Sequence, residues 1–142
     1  MANFVEEVQQ CTPPVSLSFN TVCTLDIPPS DCDYTLNWEP TGTEELWEII
    51  YGYTGFDLNT GGTLIPDLDY QGYTFYDLIP GTTYDFYVRS NCGDGQFSEW
   101  SEKITLTTVC FAPTLPIGAI VNTTSTSITL SWDPNGPSGE WE

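Results

Sequence analysis

Hydrophobic and polar residues alternate along much of this chain, and such alternation predicts β-strands. Tyr34, Leu36 and Trp38 alternate with polar neighbours, so all three point to one face of a strand. The same spacing places Tyr84, Phe86 and Val88 on one face of another strand. Similar but weaker patterns predict strands over 15–20, 47–51, 63–65, 73–78 and 100–107. The one candidate helix, over 4–10, is too short to be stable on its own, so the pattern indicates an all-β chain.

A turn inside residues 78–92 gives the most specific structural signal. Pro80 and Gly81 form the turn, because proline presets φ and glycine tolerates positive φ. Leu78 precedes this turn and Tyr84 opens the strand that follows it. This arrangement resembles the tyrosine corner of a β-sandwich, in which the tyrosine hydroxyl bonds to backbone a few residues upstream. In that interpretation Leu78 ends one strand and Tyr84 begins the next.

The sequence also contains an internal repeat. The segment 128–134 resembles 34–40, and 110–113 resembles 11–14. Trp132 and Trp141 are nine residues apart, as are Trp38 and Trp47, and the two copies are offset by 94 residues, the size of one sandwich. We therefore divide the chain into a leader or anchor segment (1–10), a complete domain (11–108) and an incomplete second repeat (109–142).

The second repeat stops where its third strand begins, and two strands alone cannot bury a core. Three explanations remain open. The chain is part of a longer protein, a neighbouring subunit completes the repeat by strand exchange, or the chain end is arbitrary.

Composition excludes several classes of function. Two basic residues accompany 20 acidic ones, for a net charge of −18, so binding of nucleic acid or of an anionic membrane surface through a basic patch is excluded. This charge favours solubility, with Ca²⁺ recruitment as the second interpretation. The chain has no His, which rules out Cys₂His₂ zinc sites and Ser-His-Asp catalysis. It has no apolar run long enough to span a membrane, and residues 1–7 lack the pattern of a signal peptide.

Over 11–108 the chain resembles a fibronectin type III domain, because Trp38, the corner from Leu78 to Tyr84, and Trp100 occur in the expected order. This resemblance implies a β-sandwich that serves as a spacer, adhesion or display module. The Cys-x-x-Pro opening, Trp47–Gly52 and Arg89–Gly93 are similar to repeats of secreted and surface proteins of Bacteroidota. The residues assigned to the core are Trp38, Trp47, Leu78, Tyr84, Trp100 and Trp132.

The repeat also accounts for the five cysteines. The first copy has five more residues than the second between its opening Cys and its Trp, and the longer segment holds two extra cysteines, Cys23 and Cys32. We predict that Cys23 pairs with Cys32 and that Cys11 pairs with Cys92 at the end of its strand. Cys110 then opens the second repeat, and its partner lies outside the chain. The alternative is five free thiols in a cytosolic protein; a metal site is disfavoured because no Cys-x-x-Cys occurs.

No catalytic residues and no metal site are predicted. Solvated loops are the favoured interpretation of the polar clusters, with binding as the alternative. The candidate binding loops contain Asp67 and Asp69 (with Asp57 as a further member) and Asn91, Asp94 and Gln96. An aromatic platform for sugar or protein is the alternative to core packing for Tyr51, Tyr53, Phe56, Tyr70 and Tyr73.

These features predict a non-enzymatic structural and adhesive module of an extracellular or surface-displayed multi-domain protein. Its expected partners are other protein subunits, surface glycans and neighbouring repeats, without nucleic acid, membrane insertion or a required cofactor; Ca²⁺ is the only cofactor considered. The alternative is a virion surface or tail component of a bacteriophage that infects a Bacteroidota host, anchored by residues 1–10. A domain appended to a secreted enzyme is the third hypothesis.

Overall fold

The computed structural model describes residues 10–24 and 31–110, together with the backbone of 122–123 and 128–129. These residues form strands and no helix. The strands are β1 (Val15–Cys23), β2 (Cys32–Glu39), β3 (Leu46–Tyr53), β4 (Thr63–Leu68), β5 (Gly72–Phe75), β6 (Thr83–Asn91), β7 (Ile104–Thr107), β8 (Asn122–Thr123) and β9 (Ile128–Thr129).

The first seven strands form two antiparallel sheets. One sheet has the order β1-β2-β5 and the other has the order β4-β3-β6-β7. The apolar faces of the two sheets share one core, so the predicted all-β sandwich is confirmed. Strands β8 and β9 pair with each other in a separate two-stranded ladder.

The core consists of the residues that the alternation places on the inner faces. Leu36, Ile49, Phe86 and Val88 are each 0% exposed, and Trp47 is 1% exposed. Burying an aliphatic or aromatic side chain of this size contributes about 1.5–3 kcal/mol. The ring of Tyr51 is stacked on that of Phe86 at 5.6 Å, which ties β3 to β6 within the same sheet.

The tyrosine corner is present as predicted. The Tyr84 hydroxyl accepts a hydrogen bond of 3.1 Å from the backbone N–H of Ile79. Leu78 is partly buried and packs against the core, but it does not end a strand, because β5 already ends at Phe75. Tyr76, which follows Phe75, is 64% exposed, so the chain leaves the sheet before it reaches Leu78.

The structure also changes the bounds of two predicted strands. The first strand was predicted over 15–20, but β1 continues to Cys23, which lies directly opposite Cys32 at the start of β2. A register shift lies between Val15 and Ser18, and Val15 is 49% exposed. The last strand begins at Ile104 rather than near residue 100.

Trp100 is not part of the core, in contrast to the prediction. It lies on the outer face of β6, where its ring covers the guanidinium group of Arg89 at 4.4 Å. The alternation along β6 explains this position, since Tyr84, Phe86 and Val88 point inward and Arg89 points outward.

Most of the second repeat lies outside the described residues, including Trp132 and Trp141. Its existence as a second copy therefore stays a prediction from the sequence. Within the residues described, no helix is long and apolar enough to cross a membrane.

Candidate functional site

The chain enters the sandwich at one end, which we call the N-terminal end. Cys11 is bonded to Cys92, which follows β6, and its Cα lies 5.9 Å from that of Cys92. The Ser90 hydroxyl donates a hydrogen bond of 2.9 Å to the Thr12 carbonyl. Both contacts fix the incoming chain beside the connections at this end, which are 40–45, 69–71 and 92–103.

The turn after β6 is held in a defined shape by its own hydrogen bonds. Asn91 Oδ1 accepts a bond of 3.0 Å from the Gly93 N–H, and the Cys92 N–H donates to the Gln96 carbonyl at 2.9 Å. Gly93 and Asp94 both have positive φ, at 82° and 52°. Positive φ costs a non-glycine residue energy, and Asp is among the residues that tolerate it best. Asp94 and Gln96 are exposed at the tip of a preorganised loop.

A cleft of about 330 Å³ lies between this turn and the β2–β3 connection. It is lined by Thr43, Glu44, Glu45, Leu46, Asn91, Cys92 and Gly93. The structure therefore brings Asn91 of the predicted binding residues into a concave surface, next to a glutamate pair that the sequence analysis missed.

Glu44 is the unusual residue of this cleft, because it is a carboxylate that is only 9% exposed. Its Oε2 accepts a hydrogen bond of 3.0 Å from the Gly42 N–H, whereas its buried Oε1 has no hydrogen-bond partner. A Cβ at position 42 would lie 2.7 Å from Oε1, so glycine permits this close approach. A buried acceptor without a partner favours a donor from outside, since leaving it unpaired is costly. The signal for this site in the sequence was a glycine two residues before an acidic pair.

Asp67 and Asp69 lie at the same end of the sheet but not in the cleft. Leu68, between them, is opposite Trp47, and both aspartates are exposed. Asp67 has a φ of 55°. Asp57 does not join them, because it belongs to the β3–β4 connection at the opposite end, where its Oδ1 accepts a bond of 2.8 Å from the Asn59 N–H. Over the described part of the chain, no three acidic, His or Cys side chains are grouped as metal ligands.

The five aromatic residues considered for a platform do not form one surface. Tyr51 and Tyr73 pack against the core, and Phe56 lies against Gly52 and Gly62. The two that are well exposed are Tyr70, in the connection at the N-terminal end, and Tyr53, at the opposite end, with exposed fractions of 72% and 61%.

Both basic residues of the chain are used on the outer face of the larger sheet. Arg89 Nη2 lies 2.7 Å from Oε2 of the buried Glu48, and its guanidinium group lies between the rings of Phe97 and Trp100, at 4.2 and 4.4 Å. Lys103 Nζ lies 3.5 Å from Asp85 Oδ2. Because both side chains are paired with carboxylates, neither is free to bind an anion.

Asp85 is 1% exposed, although it points away from the core. Burial by itself raises the pKa of a carboxyl group. Here the net pKa of Asp85 is lowered, because the Thr105 hydroxyl, the Gly55 N–H and the Thr54 hydroxyl donate to it and Lys103 is nearby. This carboxylate is fully partnered and ties together β6, β7 and the β3–β4 connection, so its role is structural.

The chain has neighbours among the solved structures. No family model and no curated protein matches it. The fn3 domain of the human collagen alpha-1(XX) chain is similar with a TM-score of 0.56 and 17% identity, over 79% of this chain and 98% of that chain. The chicken CNTN1 FN1–FN3 domains are similar with a TM-score of 0.54 and 14% identity, over 71% and 31% of the two chains.

A third similar structure is the β-1,2-glucanase from Parabacteroides distasonis, with a TM-score of 0.54 and 14% identity. The similarity covers 72% of this chain and 13% of the glucanase. At such identities the likeness shows the fold alone. Together with the two sheets, their strand order and the tyrosine corner, these comparisons establish that the chain has the fibronectin type III type of β-sandwich fold.

Proposed function

We propose that this sandwich is a structural and adhesive module of a surface-displayed multi-domain protein, in which it acts as a spacer and as a low-affinity binding surface. The observation that carries the proposal is that the chain enters the sandwich at one end of β6 and leaves it at the other. Cys11 is bonded to Cys92 just after β6, and Thr108 donates a hydrogen bond to Thr82 just before it. Nine residues of strand separate these points by about 30 Å.

Entrance and exit at opposite ends allow modules to follow one another along a single axis. This geometry supports the division into a leader (1–10), one sandwich (11–108) and a second repeat (109–142). Neighbouring repeats are then the first partners of the module. The other partners we propose are protein subunits and surface glycans. Each single contact has low affinity, and many copies of the module together bind more tightly through avidity.

The N-terminal end is the part of the module that we propose as the binding surface. Its cleft contains the unpartnered Oε1 of Glu44, and its β6–β7 turn presents Asp94 and Gln96 in a fixed shape. A partner that donates hydrogen bonds, such as a sugar hydroxyl or a backbone amide, fits these acceptors better than an anion does.

Two disulfides and a fibronectin type III type of fold are typical of extracellular domains. They support display outside the cytosol. Because of the resemblance to Bacteroidota surface repeats, our proposed context is a surface protein of such a bacterium. The virion alternative accounts less well for the disulfides, because assembly in the cytosol keeps thiols reduced. For a role as a domain appended to an enzyme, the catalytic part would lie outside this chain.

A comparison of multivalent and monomeric protein tests this proposal. The chain is attached to beads at high density and added in parallel as a soluble monomer to arrays of glycans and extracellular proteins. We expect retention of the beads at concentrations about a hundredfold or more below those at which the monomer binds. Tight binding by the monomer, or turnover of an arrayed glycan, would contradict the proposal.

A matched pair of variants locates the binding surface. Glu44→Gln removes the charge from the cleft and keeps the shape of the side chain, and we expect it to weaken retention of the beads. Asp57→Asn makes the same chemical change at the opposite end of the sandwich and is expected to have no effect. Equal effects of the two variants would argue for general electrostatics instead of a site at the N-terminal end.

A further inference from the structure

A second cleft, of about 440 Å³, lies at the end of the sandwich opposite to the N-terminal end. We call it the tyrosine cleft, because Tyr51, Tyr53 and Tyr84 form part of its wall. Phe56 and Asp77 also line it, so three of the five aromatic residues considered for a platform meet here. Its size, and its mixture of aromatic rings with a few polar groups, are typical of clefts that bind a ligand.

The three tyrosine rings of the cleft are in contact with one another. Tyr84 lies in the middle, with the ring of Tyr53 stacked on it at 5.5 Å and the ring of Tyr51 tilted against it at 6.3 Å. The Tyr84 hydroxyl accepts the N–H of Ile79, which fixes the middle ring in the fold. Tyr53 is covered by Tyr84 on one face and is 61% exposed, so its other face is accessible from outside.

Asp77 supplies the charge of the cleft, and it is exposed. In the described part of the chain no donor or cation is bonded to its carboxylate, because the two basic residues are already paired with other carboxylates. Burial is the main reason why the pKa of Tyr51 is raised, and the negative charge of Asp77 adds to this effect. The carboxylate of Asp77 therefore lies near the row of tyrosines.

An aromatic ring and a carboxylate attract the same kind of group. The face of an aromatic ring is electrostatically negative and attracts cations, and the carboxylate adds a full negative charge. The net charge of −18 strengthens this attraction over the whole surface. A neutral sugar would leave the charge of Asp77 without a counter-charge, and an anion would be repelled by it. The tyrosine cleft therefore favours a cation over a sugar or an acidic ligand.

The chain holds a cation of its own with the same two kinds of group. The guanidinium group of Arg89 lies between the rings of Phe97 and Trp100, at 4.2 and 4.4 Å, and 2.7 Å from Oε2 of Glu48. A planar guanidinium group can stack on a ring and bond to a carboxylate at the same time, which the compact ammonium group of lysine does less well. Arginine is therefore the side chain that matches a ring beside a carboxylate best.

We infer that the tyrosine cleft binds an arginine side chain of a basic partner protein, with the guanidinium group stacked on Tyr53 and paired with Asp77. Both residues are exposed, so the cleft encloses a ligand on one side. A side chain that projects from a larger surface suits such a site better than a free small molecule, which is usually enclosed on most of its surface. The site lies at the opposite end from Glu44 and takes a cation, so it is separate from the binding surface proposed above.

Titration of the 142-residue chain with two capped peptides tests the inference. The probes are acetyl-Gly-Arg-Gly-amide and the same peptide with citrulline, whose side chain has the shape of arginine without its charge. Nuclear magnetic resonance follows the ring protons of Tyr53 and the backbone amide of Ile79. We expect the arginine peptide to bind about tenfold more tightly than the citrulline peptide, because citrulline lacks both the cation–π attraction and the charge pair. Equal affinities of the two peptides would overturn the inference.

Tyr70 controls for a general attraction of cations to the acidic surface. It is the same residue type as Tyr53, is 72% exposed, follows Asp69 in the sequence and lies at the N-terminal end. We expect its ring protons to shift severalfold less than those of Tyr53 at the same peptide concentration. Equal shifts would overturn the inference, since they would show attraction to the net charge. Tighter binding of methyl glucoside than of the arginine peptide would overturn it in favour of a sugar.

Two pairs of variants assign the roles of the ring and the carboxylate. Asp77→Asn removes the charge and keeps the shape, and it should weaken binding of the arginine peptide about fivefold, whereas Asp69→Asn, beside Tyr70, should have no effect. Tyr53→Leu should weaken binding to a similar extent, and Tyr53→Phe should not, because it keeps the ring. The amide of Ile79 reports binding in all four proteins. Unchanged binding by Asp77→Asn, or equal losses for the two Tyr53 variants, would overturn the inference.

Discussion

Asp85 on β6 accepts a hydrogen bond of 2.7 Å from the hydroxyl of Thr105 on β7, and this bond lies on the outer side of the sheet. Two further donors, the Thr54 hydroxyl and the Gly55 N–H, reach its other oxygen at 3.1 and 2.9 Å. A fully partnered carboxylate on the outer face thus joins the last strand of the sandwich to the β3–β4 connection.

The lowered pKa of Asp85 predicts a dependence of stability on pH. A carboxyl whose folded pKa lies below its unfolded value of about 3.9 stabilises the fold fully above that value. This contribution is lost as the pH falls through the lower folded pKa, because the protonated side chain no longer accepts all its bonds. The measurement is the free energy of unfolding in urea at a series of pH values from 7 to 2.

The variant Asp85→Asn should be less stable than the parent at pH 7, by about 2 kcal/mol, since an amide presents donors where the site supplies donors. The difference between the two proteins should shrink as the pH falls. Asp94→Asn, on an exposed turn, corrects for the general loss of negative charge. A constant difference across the whole pH range would show that Asp85 does not titrate in this way.

Tyr84→Phe tests the tyrosine corner. The substitution removes the acceptor of the Ile79 N–H and keeps the ring that packs in the core. We expect a loss of about 1–2 kcal/mol in the free energy of unfolding, the usual cost of a buried hydrogen bond whose partner is left unpaired. Tyr70→Phe, at a position that is 72% exposed, should change stability by less than about 0.5 kcal/mol. Equal small effects would mean that the corner bond does not stabilise this sandwich.

Arg89→Lys tests the stacked cation on the outer face. Lysine keeps the charge beside Glu48 but lacks the planar group that fits between the rings of Phe97 and Trp100. We expect a loss of about 1–2 kcal/mol in thermal or urea unfolding. Lys103→Arg, at the other cation, serves as the control for a change of side-chain length, and it should be close to neutral. An Arg89→Lys protein as stable as the parent would reduce the role of this residue to its charge.

Removal of the two disulfides should have unequal effects. In the chain-entropy description, the loop between Cys11 and Cys92, with a sequence separation of 81, contributes about 4 kcal/mol. The loop between Cys23 and Cys32, with a separation of 9, contributes about 2.5 kcal/mol. Unfolding of the two double Cys→Ser variants measures both values. A larger loss for the short loop would show that native contacts at Cys23, and not loop entropy, dominate.

The sequence predicted the parts of the fold that depend on alternation and on local turn chemistry. The inward residues of β2 and β6 follow directly from a spacing of two, and the corner at Tyr84 follows from Pro80 and Gly81. The two disulfides of the structure are the same pairs that the repeat indicated. Each of these features depends on residues close together in sequence, or on a residue type, such as cysteine in a disulfide, that has one structural role.

The misjudged residues are those whose environment depends on distant parts of the chain. Trp100 is apolar enough for a core, but its ring packs on the guanidinium group of Arg89, eleven residues earlier on the outer face of β6. Glu44 and Asp85 resemble solvated carboxylates in sequence, and only the packed structure shows that they are buried. Asp57 was grouped with Asp67 by proximity in sequence, although the hairpin between β3 and β4 sends the two to opposite ends.

The bond between Cys11 and Cys92 also determines how the module responds to mechanical tension. A pulling force that enters at Cys11 passes through the disulfide to the end of β6 and leaves near Thr108, which is bonded beside the start of β6. The residues between the two cysteines are bypassed and carry no load. Even a fully ruptured module can then reach only the contour length of residues 92–108, roughly 55 Å, compared with about 30 Å between the same points in the fold. In an oxidising environment the chain therefore acts as a nearly inextensible tether. Reduction of the bond between Cys11 and Cys92 allows the residues between them to extend as well.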